Sequence, residues 1–190
     1  MKKSIILLSS IMIMCFARAQ VRVYETVRWQ GDPPVLDGKI TESAWSSATW
    51  SGEFIQTEPY DSAAPSQKTE FAVLYDDDHL YVAIRAYDTE PEKIEKRMSR
   101  RDNMDGDLVF FSVDSYFDKR TAFEFGVSAA GVKVDMSVSN DIEDDESWDP
   151  VWYVKTSVDS LGWIAEMRIP YTQLRFAEKG DHVWGLQVAR

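Results

Sequence analysis

The residues able to do chemistry in this chain of 190 are aromatic rings and carboxylates. It carries seven Trp and eight Tyr, with 32 Asp and Glu against 21 Lys and Arg, for a net charge of −11. A flat ring can stack on the C–H face of a pyranose, while polar neighbours take up the hydroxyls. Trp148 and Trp152 have the surroundings for this, since they flank Asp149-Pro150 and follow residues 140–146, five of which are carboxylates. We read the pair as the rim of a sugar site, with Trp50 and Tyr60 as further candidates. Trp45, Trp163 and Trp184 read as core or half-buried packing, because Trp163 alternates with Ala165, Met167 and Ile169 on one strand face.

Carboxylates around irregular backbone are also what a hard cation such as calcium requires. Asp88, Asp102, Asp105 and Asp107 bracket one connection, and Asp135 can join them from a neighbouring strand. The alternative for this set is a hydrated acidic surface. Asp141, Asp144 and Asp145 form a second candidate, weaker because adjacent acids are commonly solvated. Catalytic motifs are missing: there is no Gly-x-Ser-x-Gly or His-Glu-x-x-His, and the only histidines are His79 and His182. Glu166 has Arg168 as its same-face neighbour and reads as half of a structural ion pair rather than a general acid. Haem ligation would have to draw on Met104, Met136 and His79, and no spacing pairs them.

Charge and the first residues narrow the setting. The acidic balance argues against nucleic-acid binding, which needs a basic face. Lys2 and Lys3, an apolar run over residues 5–16 and Ala17-Arg18-Ala19 make residues 1–19 a secretory signal. The run is too short to span a bilayer, which takes about 20 residues. We therefore expect an exported protein, periplasmic, outer-membrane-associated or secreted, and bacterial. Cleavage would remove Cys15, the only cysteine, so neither a disulfide nor a thiol nucleophile is expected.

The elements that must position these residues are strands. Residues 71–75 and 80–86 read as a hairpin around Asp76-Asp77-Asp78-His79. Further strands are expected over residues 107–114, 121–128, 132–138, 152–158, 163–169 and 183–189. Helix is limited to a turn over 41–45 with Thr41 as N-cap, a short charged helix within 90–101, and a turn over 171–175. Many short strands punctuated by turns indicate an all-β fold, an antiparallel β-sandwich or barrel, in one domain.

Four segments then carry a family resemblance. Val35-Leu36-Asp37-Gly38 with Glu42 and Trp45, the hairpin Leu74-Tyr75-Asp76-Asp77-Asp78-His79-Leu80-Tyr81-Val82, the strand over 107–114, and Gly162-Trp163-Ile164-Ala165-Glu166 with Ile169-Pro170 occur in that order. Together they resemble family 9 carbohydrate-binding modules over residues 33–190, after a short extension at 20–32. The variant resembled is the module opening large exported Bacteroidetes-type proteins that carry a domain of unknown function (DUF5916).

The resemblance implies a β-sandwich that binds a glycan or small sugar on one sheet, often with calcium. It is expected to be non-catalytic by itself and monomeric. In the family register Met104 stands where sugar binders have a Trp, with Asn103 beside it. Phe110, Gly126 and Ser128 stand at polar positions of the binding sheet, and only Ser128 keeps a hydroxyl. The expected sugar-binding set is therefore Trp148, Trp152, Met104, Ser128 and Asn103. A second family aromatic would come from beyond Arg190, so a C-terminal truncation is expected. The alternative function is a docking module for its own missing C-terminal region or for an outer-membrane protein. Further alternatives are part of a glycoside hydrolase and a haem-binding sandwich.

Overall fold

The computed structural model describes residues 22–176 and 183–190; the leader and His182 lie outside the described residues. In chain order the strands are β1 (Val27–Arg28), β2 (Trp50–Ser51), β3 (Thr69–Tyr75), β4 (His79–Tyr87), β5 (Leu108–Asp114) and β6 (Ala122–Ser128). They continue with β7 (Lys133–Ser139), β8 (Glu143–Asp145), β9 (Tyr153–Asp159), β10 (Gly162–Pro170) and β11 (Gly185–Ala189), and one helix, α1 (Ser43–Ser47), precedes β2. A six-stranded sheet runs β1-β3-β4-β10-β9, with β2 also on β3, and a five-stranded sheet runs β11-β5-β6-β7-β8. All pairs are antiparallel except β1 on β3. The architecture is the expected β-sandwich.

Period two explains the core. Phe71, Val82, Ile84, Trp163 and Met167 from one sheet meet Val109, Phe111, Phe125 and Val127 from the other. The opposite face of the six-stranded sheet is buried as well. Ala72, Leu74, Tyr81 and Ala83 pack there against Ala44 and Trp45, with Trp29 and Ile40 at the margin. This accounts for the unbroken apolar run of β3, because a strand covered on both faces has no reason to alternate. Residues before 33 belong to this arrangement, since the Thr26 hydroxyl donates to the Val73 carbonyl at 2.7 Å.

One buried carboxylate fastens that cover. Glu166, fully buried on β10, accepts the backbone N–H groups of Asp37 (3.1 Å), Gly38 (2.7 Å) and Lys39 (3.1 Å) on Oε2. Its Oε1 accepts the Trp45 indole N–H at 2.9 Å. Gly38 sits at φ +82°, and a Cβ there would lie 2.9 Å from the Thr156 backbone, so glycine lets the turn reach the carboxylate. Two of the sequence motifs thus meet at a single structural joint. Its partners are backbone amides and an indole, and Arg168 stacks instead on the Tyr153 ring at 4.5 Å, which corrects the expected Glu166–Arg168 pair.

Three local expectations change. The α1 turn begins at Ser43 with Glu42 in the cap position, so Thr41 is not its N-cap. Residues 90–101 hold only a 3₁₀ turn at Pro91–Lys93. The chain beyond it leaves helix because the Asp102 N–H donates to the Lys133 carbonyl at 2.9 Å, against the β7 edge. The acidic stretch contains a strand, β8, whose three exposed acids occupy a sheet edge, where charge discourages further pairing.

Candidate functional site

The connection from β8 to β9 closes one side of the sandwich, and this determines the fate of the expected tryptophan rim. Trp152 is 1% exposed. Its ring meets Phe125 edge-on at 5.4 Å, and its indole N–H donates to Asp135 Oδ2 at 3.1 Å. Trp148 is half-buried against Phe123 (5.0 Å) and Phe125 (5.5 Å). Both rings face the core. Between β8 and β9 the chain lays two apolar rings on the flank of β6, against Phe123 and Phe125, and that burial outweighs their acidic neighbours.

The carboxylates expected to gather around a cation are engaged one by one. Asp135, 1% exposed, accepts Nη2 of Arg101 on both oxygens at 2.7 Å and its Nε at 3.1 Å. Arg101 also pairs with Asp149 at 2.6 Å and donates to the Pro150 carbonyl at 3.0 Å. Asp102 receives the Asp135 N–H at 3.2 Å, so these two do meet. Asp107 accepts the Glu95 N–H at 2.8 Å, Asp105 accepts the Asn103 side-chain amide at 2.8 Å, and Asp88 pairs with Arg190 at 3.0 Å. Among the described residues no three of His, Cys, Asp and Glu come together as a group able to hold a metal ion. Asp141, Asp144 and Asp145 are exposed. Met136 and His79 lie in opposite sheets, on β7 and β4.

The outer face of the five-stranded sheet carries a different constellation. Phe110 on β5 stands opposite Gly126 on β6. Its ring lies across the glycine, and a Cβ on Gly126 would come within 2.4 Å of it. A glycine inside a strand often marks such a close approach. One step along the sheet, the Ser112 hydroxyl donates to Glu124 Oε2 at 2.6 Å, and Gln187 of β11 stands opposite Ser112 in register. Phe110 and Glu124 are partly exposed and Gln187 is exposed. An aromatic ring therefore adjoins a row of amide, hydroxyl and carboxylate across three strands.

Met104, 49% exposed, and exposed Asn103 lie in the connection leading into β5. Ser128 is 1% exposed, and its Oγ accepts the Val132 N–H at 3.2 Å, so this hydroxyl closes the β6–β7 turn. Glu124 and Gln187 were not singled out from sequence. The usable signal was Gly126 in mid-strand, in register with an aromatic.

The comparisons with known proteins agree with this fold. The family model described as "Carbohydrate family 9 binding domain-like" matches residues 36–190. The chain is similar to a family 9 carbohydrate binding module from Caldicellulosiruptor kristjanssonii in complex with glucose, with TM-score 0.59 and 21% identity over 86% of this chain and 76% of that one. The same organism's module in complex with cellotriose gives TM-score 0.59 and 21% identity over 86% and 73%. None of the curated proteins matches the chain. With residues 36–190 matched, the chain belongs to the carbohydrate family 9 binding domain-like family.

Proposed function

We propose that this chain is a non-catalytic sugar-binding module of an exported protein, and that the sugar lies on the outer face of the five-stranded sheet. The observation that carries the reading is the Phe110 ring laid across Gly126 beside the Ser112–Glu124 pair. Phe110 stacks on a pyranose face, Glu124 and Gln187 bind its hydroxyls, and Asn103 and Met104 border the site. The glucose and cellotriose complexes of the similar modules support a neutral glucan as ligand. Binding rather than hydrolysis suits Glu166, the one carboxylate of the family-like motifs on β10, which is sealed beneath the N-terminal cover. A single aromatic face contributes modestly, so affinities near the millimolar range are expected.

The test is calorimetric titration of the exported chain with glucose and cellotriose. Phe110→Ala should weaken binding by about tenfold, equivalent to about 1.4 kcal/mol. Glu124→Gln should weaken it less, since the amide keeps one acceptor. A folded Phe110→Ala protein with undiminished affinity would remove the platform from consideration.

A further inference from the structure

The edge strand β9 borders a cavity of about 390 Å³, which also reaches Lys133 at the start of β7 and lies apart from Phe110. Lys133, Lys155 and Arg168 line it together with Tyr153, Trp152 and Leu36, and no carboxylate does. In a chain of net charge −11 this is a local inversion of sign. Among the described residues, none of the three cations takes part in an ion pair.

The geometry holds these cations toward the cavity. The β9–β10 register sets Tyr153 opposite Arg168 and Lys155 opposite Glu166. Stacked on Tyr153 at 4.5 Å, the Arg168 guanidinium has its Nε–H buried without an acceptor. Lys133 donates to the Trp152 carbonyl and stands 5.1 Å over the Trp152 ring. The nearby acids are engaged elsewhere, Glu166 by the N-terminal cover and Asp135 and Asp149 by Arg101. Burial pushes the Lys133 ammonium below its ordinary value, with Arg101 adding to the effect, so an arriving anion would stabilise a charge the site now holds at a cost.

We propose that this cavity binds an anionic sugar residue of the uronate class, its carboxylate held by Arg168, Lys155 and Lys133 and its ring against Tyr153. Guanidinium and ammonium donors form short charge-assisted bonds to a carboxylate, and a stacked guanidinium is already oriented for them. Tyr153, 45% exposed, supplies the aromatic surface that a bare anion would not use. That the anion is borne on a sugar rests on the family membership, and the cavity is separate from the Phe110 face.

The experiment is an amide chemical-shift titration of the exported chain with D-glucuronate, D-glucose and acetate, repeated on Lys155→Gln and Arg168→Gln. Glucuronate should shift the amides of residues 152–155 and 168 and bind about tenfold more tightly than either comparator. That preference should fall in both variants. Lys155 is exposed, so its variant carries the test if Arg168→Gln loses the fold. Glucuronate binding no tighter than glucose, or no tighter than acetate, would overturn the proposal, as would a preference that survives Lys155→Gln. Shifts confined to β5, β6 and β11 would overturn it while leaving the Phe110 site standing.

Discussion

The two outer faces of this sandwich begin from the same alternation and end as opposites. On the six-stranded sheet, Ala72, Leu74, Tyr81 and Ala83 are covered by the N-terminal segment and α1, fastened at Glu166. On the five-stranded sheet, no comparable second apolar layer forms among the described residues, and the face carries Phe110, Ser112, Glu124 and Gln187. Three of the four segments that carry the family resemblance contribute to the covered face. The proposed sugar face draws on one of them, the strand over 107–114. A likeness between such chains therefore reports the scaffold first, and the ligand has to be argued from the other sheet.

The largest effect should come from breaking the covered face. Glu166→Ala would strand three backbone N–H groups and an indole N–H in the interior, a loss of about 3–5 kcal/mol in urea unfolding. Burial, the leading cause, raises the Glu166 carboxyl above its ordinary range against the pull of those donors, and Glu42 adds to the rise. The unfolded state then ionises first, so the group's contribution is full below about pH 4.3 and is lost as pH climbs through the raised value. The stability gap between wild type and Glu166→Gln should accordingly be widest in acid and narrow toward neutrality. A gap that widens with pH would mean the donors outweigh desolvation.

A loss of similar size is expected at the sandwich flank. Trp152→Ala should cost about 3–5 kcal/mol as a core truncation. Trp148→Ala, at a half-buried ring, should cost about 1–2 kcal/mol while sugar affinity at the outer face holds. Loss of sugar binding in a folded Trp148→Ala protein would return the site to the flank and blur the division between the faces.

Gly126→Ala tests the division from the other side. The new methyl would enter the space of the Phe110 ring and tilt it from the sheet, costing about 1–3 kcal/mol of stability. Sugar affinity should fall several-fold, toward that of Phe110→Ala.

These differences track what a sequence can convey. The hairpin β3–β4 was legible because its turn is built locally: Asp76 Oδ1 accepts the N–H groups of Asp78 and His79 at 2.8 and 2.7 Å. Strands β5, β6, β7, β9, β10 and β11 were legible from apolar alternation. β8 was not, since three exposed acids become a strand only through pairing with β7. The irregular path near Arg101 was hidden for a related reason, because its determinants, Lys133 and Asp135, lie more than thirty residues away. The tryptophans of the flank show the limit most clearly. An acidic neighbour in sequence says nothing about which face of a ring another sheet will cover.

The smallest expected effect concerns calcium. A cation site with a dissociation constant of about 0.1 mM would, at 1 mM calcium, add about 1.4 kcal/mol and raise the melting temperature by about 3–6 °C for a chain of this size. Asp135, the most buried member of the expected set, is closed off by Arg101 and the Trp152 indole, so an arriving ion would first have to break a fork of charge-assisted bonds. Asp88 and Asp107 are likewise held by Arg190 and the Glu95 amide. Millimolar calcium added after chelation should therefore move the melting temperature by less than about 1 °C. A rise of several degrees that disappears in Asp102→Asn would show that this connection rearranges around an ion, and would bring the loop beside Met104 and Asn103 into the ligand face.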